Sequence, residues 1–246
     1  MAITQSDRVA IVTGASGGIG RAVASRLAAN GVAIIAHYSS NREAAEHAVA
    51  EINSRGGRAI AVGGDVGDER DMAAVFDAAE REFGGIDVVV NTAGVMILGP
   101  IADMALDDFD HMHRINVRGA FIVSQLAARA VRSGGALINF STSVTRLHQP
   151  SYGAYAATKG AVEELTMILA RELRGRDVTV NTVAPGPTAT PLFFEGKPQQ
   201  LIDTIAGLAP LERLGTPDDI AETVAFLAGT GRWVNGQVVY VNGGIA

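Results

Sequence analysis

The stretch "TGASGGIG", residues 13–20, follows an apolar run and spaces Gly14, Gly18 and Gly20 as G-x-x-x-G-x-G. The apolar run predicts a strand, and the residues after Gly18 predict a helix. A helix N-terminus offers free N–H groups and a positive dipole end, which suit a pyrophosphate. We expect Gly14 to make a tight turn, Gly18 to let the backbone approach phosphate, and Gly20 to allow close packing of helix and strand. A glycine-rich turn without a ligand is the alternative, but this placement favours nucleotide binding.

The strand-then-helix order of this stretch continues along the chain. Runs rich in β-branched residues predict strands at 8–13, 32–37, 58–62, 87–91, 136–140, 178–183 and 237–241. Amphipathic stretches predict helices at 18–30, 42–55, 69–83, 106–132, 152–174 and 217–228. The strands are continuously apolar, as is typical of strands buried on both faces. The pattern predicts an α/β fold, a doubly wound parallel sheet of about seven strands with helices on both faces.

Composition narrows the class of protein. With 246 residues, 48% of them hydrophobic, and no low-complexity linker, the chain is expected to form a single domain over 1–246. The absence of cysteine excludes disulfides and thiolate catalysis. A net charge of −6 without a basic stripe argues against a nucleic-acid partner. No signal peptide or membrane span is recognised, so we expect a cytoplasmic protein, and no histidine pair predicts a metal site.

Residues that follow the predicted strands are of special interest, because ligands bind beyond the carboxyl ends of parallel strands. After the third strand, Asp65 in "GGDVGD" is suited to accept a hydrogen bond from an adenine amino group, with Val66 against the ring. After the fourth comes "NTAG", in which Asn91 ends the strand and small Ala93 and Gly94 leave room for a ribose and a nicotinamide. Each is also compatible with a plain turn.

Taken together, these segments resemble the short-chain dehydrogenase/reductase family in its classical form. The matching segments are "TGASGGIG", "GDV", "NTAG", "INVRG", "YAATK", "PGPTAT" and "GQVVYVNGG", in the order and at about the spacing of that family. The general pattern is similar to its 3-oxoacyl-carrier-protein reductase and sugar or steroid dehydrogenase branches. The resemblance implies a single-domain Rossmann fold and hydride transfer between a nicotinamide dinucleotide and a carbonyl or secondary alcohol. It also implies a homotetramer or homodimer, and it leaves the substrate unidentified.

Tyr155 and Lys159 in "YAATK" stand at helical i, i+4 positions and therefore share one face. Free tyrosine has a pKa near 10, and a neighbouring ammonium is expected to lower it by about 1–3 units. Tyr155 is then predicted to exchange a proton with the substrate oxygen. The resemblance implies that both residues also touch the cofactor, with Lys159 on the ribose hydroxyls of the nicotinamide. A surface cation beside a half-buried ring is the alternative.

The family usually has a serine thirteen positions before the tyrosine, and this chain has Thr142 there, flanked by Ser141 and Ser143. Threonine donates the same hydrogen bond, so Thr142 is predicted to polarise the substrate carbonyl, with Ser143 in reserve. If neither does so, the site is impaired and the chain is a dinucleotide-sensing binding protein. Asn116 in "INVRG" falls inside a predicted helix, and the resemblance implies a local kink there that supports proton relay through Lys159.

"PGPTAT" follows the sixth predicted strand. Pro185 and Gly186 are expected to shape a loop across the nicotinamide, and Thr188 and Thr190 to bind its carboxamide and the phosphates. The apolar "PLFFEGKPQQ", residues 191–200, is interpreted as a mobile substrate lid that favours a partly apolar substrate.

The end of the second predicted strand bears on the choice of cofactor. An acid there would bind the ribose 2′-OH of NAD, and none occurs before Glu43. Ser39, Asn41 and Arg42 are instead suited to surround a 2′-phosphate. We therefore predict NADP(H), with NAD possible because Gly17 stands where many NADP-using relatives carry an arginine. From the glycine turn, Ser16 and Ile19 complete the predicted cofactor contacts, which are Gly14, Ser16, Gly18, Ile19, Gly20, Ser39, Asn41, Arg42, Asp65, Val66, Asn91, Ala93, Gly94, Tyr155, Lys159, Pro185, Gly186, Thr188 and Thr190.

Overall fold

Seven parallel strands form one sheet in the order β3-β2-β1-β4-β5-β6-β7. They are β1 (Val9–Thr13), β2 (Ala33–Tyr38), β3 (Ala59–Gly63), β4 (Ile86–Asn91), β5 (Val131–Phe140), β6 (Thr179–Pro185) and β7 (Val238–Val241). The computed structural model describes residues 8–246, so residues 1–7 of the predicted domain lie outside the described part. The predicted α/β fold with about seven parallel strands is confirmed.

Helices cover both faces of the sheet. They are α1 (Gly18–Ala29), α2 (Arg42–Ser54), α3 (Glu69–Phe83), α4 (Leu106–Met112), α5 (Gly119–Ala130), α6 (Val144–Leu147), α7 (Gly153–Glu172), α8 (Pro191–Phe194), α9 (Gln199–Ala206) and α10 (Pro217–Ala228). Alternate residues of β1 point to opposite faces of the sheet. Ala10 and Val12 pack into the core under α1 and α10, whereas Val9 and Ile11 pack into the core under α3, α5 and α7. None of the described helices has the length and apolar character needed to span a bilayer.

The reversal of strand order decides where a ligand can bind. From β1 the chain builds outward through β2 to β3 and then returns to place β4 on the other side of β1. Thr13 is in register with Asn91 at the carboxyl ends of β1 and β4. The loops beyond these ends diverge and leave a crevice, which is the usual ligand site of an open parallel sheet.

The predicted helix over 106–132 is wrong in its continuity and its end. A wider π-helical turn, His113–Arg118, separates α4 from α5. The helix ends at Ala130, and β5 begins at Val131, earlier than the predicted residue 136. Arg132 forms an ion pair with the buried carboxylate of Asp87 in β4, a contact between distant segments that local helix propensity does not report.

Two helices occupy the segment interpreted as a lid. Thr190 is the N-cap of α8, and its hydroxyl accepts a hydrogen bond from the Phe193 N–H at 3.2 Å. Pro191 follows at the first helical position, where its missing N–H is harmless. The segment 191–206 is therefore largely helical, with α9 after the short α8.

Candidate active site

The glycine turn has the conformation expected of an anion-binding site. Gly14 has φ +66°, the left-handed region that favours glycine. A Cβ on Gly20 would lie 2.3 Å from the Gly14 carbonyl oxygen, so only glycine allows α1 to approach this turn. Gly17 caps α1 without a side-chain hydrogen bond, and the first turn of α1 contains no acid. No carboxylate in the first turn of α1 therefore competes for its free N–H groups, which fit a pyrophosphate.

This turn forms the floor of a cleft of about 1090 Å³, a volume in the upper range of small-molecule sites. The cleft runs past the carboxyl ends of β1, β2, β3 and β4. The predicted cofactor residues that line it are Gly14, Ser16, Gly18, Ile19, Gly20, Ser39, Asn41, Asp65, Val66, Ala93, Gly94 and Thr190. Its size and its glycine floor fit a dinucleotide.

Asn91 and Arg42 are among the predicted cofactor residues that do not line this cleft. Asn91 is buried in the sheet, where its side-chain oxygen accepts a hydrogen bond from the Thr13 hydroxyl at 2.8 Å. Its role is therefore to join β1 to β4. The Arg42 guanidinium forms an ion pair with Glu46 at 2.6 Å, one turn further along α2. The carboxylate at i+4 is the competing partner that draws Arg42 away from the predicted 2′-phosphate site.

Asp65 lines the cleft, but its carboxylate already has protein partners. It accepts a hydrogen bond from the Gly67 N–H at 2.8 Å and forms an ion pair with Arg114. The hydrogen bond from Arg114 is the main reason why the pKa of this carboxyl lies below its usual value. An adenine amino group would have to share this carboxylate with the Arg114 guanidinium. The sequence motif does not predict the contact between Asp65 and Arg114.

His37 is a cleft residue that sequence reasoning missed. Its Nδ1 accepts a long hydrogen bond from the Gly14 N–H at 3.4 Å, and its Nε2–H donates to the Gly64 carbonyl at 2.9 Å. Burial lowers the pKa of this imidazole, which favours the neutral form that these two contacts require. The ring therefore ties the glycine turn to the end of β3. Its position at the end of β2 is the feature of the sequence that could have identified it.

A second pocket, of about 190 Å³, adjoins the cleft and contains Tyr155 and Lys159 of α7. Lys159 Nζ lies 5.8 Å from the centre of the Tyr155 ring and donates a hydrogen bond to the Phe140 carbonyl at 3.0 Å. The lysine side chain is almost wholly buried, with 5% of its residue surface exposed. The two predicted side chains are therefore neighbours inside the pocket.

The predicted direction of the Tyr155 pKa is wrong for the protein by itself. Burial raises the pKa of Tyr155 to about 12, the neighbouring Tyr152 adds to this effect, and the nearby Thr142 hydroxyl opposes it. Burial likewise lowers the pKa of Lys159 to about 8. Loss of water disfavours the charged form of each group, and here it outweighs their mutual attraction. The phenol is accordingly held in its protonated form at neutral pH.

The three hydroxyls of residues 141–143 have different partners. The Thr142 side chain lines the same pocket as Tyr155, and its hydroxyl accepts a hydrogen bond from the Val144 N–H at 3.3 Å. Ser143 is buried, donates to the Ala184 carbonyl at 3.3 Å and accepts from Asn242 at 3.1 Å. Ser141 donates to the Glu163 carboxylate at 2.5 Å. Thr142 is therefore the hydroxyl that accompanies Tyr155, and Ser143 is engaged elsewhere.

Glu163 is another residue that sequence reasoning missed. One of its carboxylate oxygens accepts hydrogen bonds from Ser141 and from Thr145 at 3.0 Å, on either side of Thr142. It stands four residues beyond Lys159 and eight beyond Tyr155, so the three share one face of α7. This helical spacing from Tyr155 and Lys159 could have identified Glu163 as a site residue from the sequence.

Asn116 lies in the π-helical turn, where a local irregularity was expected. Its side-chain oxygen accepts from the Val95 N–H at 2.8 Å, and its amide group donates to the Val95 carbonyl at 2.8 Å and to Thr158 at 3.1 Å. A Cβ placed on Gly94 would lie 3.2 Å from the Asn116 oxygen and 3.3 Å from Lys159 Nζ. Asn116 thus pins the loop after β4 beside Lys159.

The remaining predicted residues belong to the same pocket as Tyr155. Pro185, Gly186 and Thr188 line it, and the Thr188 hydroxyl donates to the Gly186 carbonyl at 2.9 Å. The Thr190 hydroxyl donates to the Thr188 carbonyl at 3.4 Å, in addition to capping α8. Apolar side chains form much of the wall, namely Val95, Met96, Val144, Leu147, Leu192, Phe193 and Ile205.

Comparison with known proteins identifies relatives over nearly the whole chain. The model of the Enoyl-(Acyl carrier protein) reductase family matches residues 14–246. A short-chain type dehydrogenase/reductase from Picea abies is 47% identical over 248 residues, 96% of this chain and 92% of its own. An Arabidopsis thaliana protein named as an NADPH-dependent aldehyde reductase-like protein, chloroplastic, is 45% identical over 256 residues, 97% of this chain and 94% of its own.

Solved structures agree with this relationship. The crystal structure of a short chain dehydrogenase from Burkholderia cenocepacia J2315, in complex with NADP, superimposes with a TM-score of 0.92 at 36% identity. The match covers 97% of this chain and 98% of that one. With a family match over most of its length and relatives well above 30% identity, this chain belongs to the short-chain dehydrogenase/reductase family.

Proposed function

We propose that the protein is an NADPH-dependent reductase of aldehydes or ketones, which also oxidises the corresponding alcohols in reverse. The observation that carries the proposal is the continuity of the two pockets. The dinucleotide cleft and the Tyr155 pocket share wall residues, which are Ile19, Thr92, Gly94, Val95, Phe140, Thr190 and Leu192. A carbonyl held against Tyr155 would therefore lie beside the nicotinamide end of a dinucleotide.

The cofactor is NADP(H). Relatives at 45% and 39% identity are named as NADPH-dependent, and the structures of two related enzymes contain NADP. Ser39 and Asn41 line the cleft at the end of β2, where a 2′-phosphate would lie, and no acid occupies this part of the wall before Glu43. When bound, the cofactor supplies the hydride from C4 of its nicotinamide.

Tyr155 donates the proton to the carbonyl oxygen during reduction. A buried phenol whose pKa is raised to about 12 is fully protonated at neutral pH, as a proton donor must be. Thr142 lines the pocket beside Tyr155, and its hydroxyl donates a second hydrogen bond to the same oxygen. Two donors aimed at one oxygen stabilise the negative charge that develops there as the hydride arrives.

Lys159 holds the ribose of the nicotinamide and supports reprotonation of Tyr155. Its ammonium donates one hydrogen bond to the Phe140 carbonyl, which leaves two N–H donors for ligand or water. A lysine with a pKa of about 8 is mostly charged at neutral pH and can still release a proton. Asn116 holds the neighbouring Val95 backbone and is a positioning residue.

Assembly and compartment follow from weaker observations. Phe121 of α5 and Ile168 of α7 each leave 54% of their surface exposed, and Trp233 near β7 is fully exposed. Such side chains are typical of subunit interfaces. We propose a homotetramer or homodimer formed through these helices, which sedimentation analysis would test.

A cytoplasmic location stays a prediction, because the Arabidopsis relative is named chloroplastic.

The proposed activity is tested with purified protein and a panel of aliphatic and aromatic aldehydes and ketones. We expect NADPH oxidation, followed at 340 nm, with at least one class of carbonyl, and a markedly lower kcat/KM with NADH. Tight binding of NADPH without turnover of any carbonyl would instead support a dinucleotide-sensing protein. Equal use of NADH would contradict the assignment of the cofactor.

A further inference from the structure

The distribution of lysine in this chain is uneven. The chain has eighteen arginines but only two lysines, Lys159 and Lys197. Both lysines line the pocket that contains Tyr155. No other charged side chain of residues 8–246 lines that pocket, and in particular no carboxylate does. The two lysines therefore give the pocket a positive potential. Lys159 already has a proposed role in catalysis, whereas Lys197 has none.

Lys197 is held at the pocket by its own segment. Its Nζ donates a hydrogen bond to the Phe193 carbonyl at 2.8 Å and lies 5.0 Å from the centre of the Phe193 ring. Both contacts join residues four positions apart, Phe193 in α8 and Lys197 in the loop before α9. A cation over an aromatic face keeps its charge while shedding part of its water. The ammonium is thus positioned rather than free in solution, although the side chain is only half-buried.

The partners of Lys197 leave it able to bind a ligand. An ammonium has three donors, and the carbonyl of Phe193 occupies one of them. Within the described part of the chain, no carboxylate forms an ion pair with Lys197; the nearest acid in sequence, Glu195, lines the neighbouring cleft instead. Two N–H donors and an uncompensated positive charge are therefore available at a pocket where, among residues 8–246, Lys159 is the one other charged lining residue.

The occupant that best matches this arrangement is the substrate. A cofactor phosphate is the other anion near the site, but Lys197 does not line the cleft that contains the glycine turn, whereas it does line the pocket of Tyr155. The pocket that contains Lys197 and Tyr155 also has apolar lining residues, Met96, Leu147 and Leu192 among them. A molecule that satisfies both ends has a carbonyl, an apolar body and an anionic group.

We propose that Lys197 binds a carboxylate on the substrate, so that the preferred substrates are aldehydes or ketones with an apolar body and a carboxylate away from the carbonyl. This inference rests on the proposed reductase function and specifies its substrate class. Lys197 is a specificity residue in this account, since it touches the substrate at a distance from the reacting carbon.

The test compares two aldehydes of the same skeleton, 4-carboxybenzaldehyde and its neutral ester methyl 4-formylbenzoate. The readout is the ratio of their kcat/KM values with NADPH, because intrinsic reactivity cancels when this ratio is compared between proteins. The variants are Lys197→Gln, Lys197→Arg and Lys197→Glu. Arg171→Gln is the matched control, because it removes one positive charge from an exposed site in the last turn of α7.

A charge-assisted hydrogen bond contributes enough to change this ratio about tenfold. We expect the ratio to fall about tenfold in Lys197→Gln, to fall further in Lys197→Glu, and to stay within about threefold of wild type in Lys197→Arg and Arg171→Gln. An unchanged ratio in Lys197→Gln would overturn the proposal. A raised KM for NADPH with an unchanged ratio would assign Lys197 to the cofactor and overturn it equally.

Binding separates this inference from the reductase function itself. Calorimetry measures the affinity of the protein–NADP complex for 4-(hydroxymethyl)benzoate and for its methyl ester. We expect wild type, but not Lys197→Gln, to prefer the carboxylate. If wild type reduces no aldehyde but shows this preference, the reductase function fails and the anion site stands. If it reduces aldehydes without this preference in rate or binding, the anion site fails alone.

Discussion

Lys159 Nζ lies 5.8 Å from the centre of the Tyr155 ring, one turn further along α7; the lysine is buried and the tyrosine is partly buried. Burial raises the pKa of Tyr155 to about 12 and lowers that of Lys159 to about 8. Burial therefore disfavours the charged form of each group, although Lys159 with a pKa of about 8 is still mostly protonated at pH 7. The phenol therefore keeps its proton, as the proposed proton donor must, and in the proposed reverse reaction the positive charge of an oxidised nicotinamide would favour the phenolate.

The buried lysine makes stability depend on pH. Because the pKa of Lys159 is about 8 in the folded protein and about 10.5 when unfolded, the unfolded chain binds more protons between these values, and stability rises with pH. From pH 7 to 9.5 the free energy of unfolding of wild type should rise by about 2 kcal/mol relative to Lys159→Met. Urea denaturation at several pH values measures this. Parallel curves for the two proteins would show that Lys159 keeps an ordinary pKa.

The Thr142 hydroxyl is expected to be essential, although the family usually has serine at this position. Thr142→Val keeps the shape but removes the donor, and kcat should fall about 100-fold or more. Thr142→Ser should keep most of the activity. Ser143→Ala is the control, since the Ser143 hydroxyl bonds Ala184 and Asn242 rather than Tyr155. A larger loss in Ser143→Ala than in Thr142→Val would reverse the assignment.

Glu163 is expected to position Thr142 through the hydroxyls of Ser141 and Thr145. Glu163→Ala removes their common acceptor, and we expect kcat to fall about tenfold with little change in the Kd for NADPH. Glu163→Gln keeps an oxygen acceptor and should recover most of kcat. The exposed neighbour Glu164→Ala provides the control. A weaker affinity for NADPH with unchanged kcat would place Glu163 outside the alignment of Thr142.

Cofactor choice should depend on Ser39 and hardly on Arg42. Ser39 lines the cleft, so Ser39→Asp would place a carboxylate against the 2′-phosphate and lower kcat/KM for NADPH about 100-fold relative to that for NADH. Arg42 pairs with Glu46, so Arg42→Ala should change this ratio less than threefold. Initial rates with both cofactors measure it. A dominant effect of Arg42→Ala would restore the interpretation drawn from sequence alone.

Features that depend on local pattern were predictable from sequence. Continuous apolar runs identify strands buried on both faces, and the spacing of Gly14, Gly18 and Gly20 identifies the turn before α1. The Tyr155–Lys159 pair follows from helical periodicity alone. These patterns are short-range, so they need no knowledge of the tertiary structure.

Features that depend on distant partners were not predictable. Ser143 is engaged by Asn242, which is 99 residues away, and Asn91 by Thr13, which is 78 residues away. Arg42 has a partner one turn along its own helix, a contact that competes with any ligand. The direction of the Tyr155 pKa depends on burial, which sequence spacing does not report. The role of Lys197 likewise appears only when the pocket is assembled.

The most direct test of the account is the Tyr155→Phe variant, assayed for carbonyl reduction and for NADPH binding. Removing one hydroxyl from a part-buried ring leaves the pocket shape intact but takes away the proton donor. We predict that kcat falls at least about 1000-fold while the Kd for NADPH stays within about threefold of wild type. A variant that retains most of its turnover would contradict the account, because protonation of the substrate would then not depend on Tyr155.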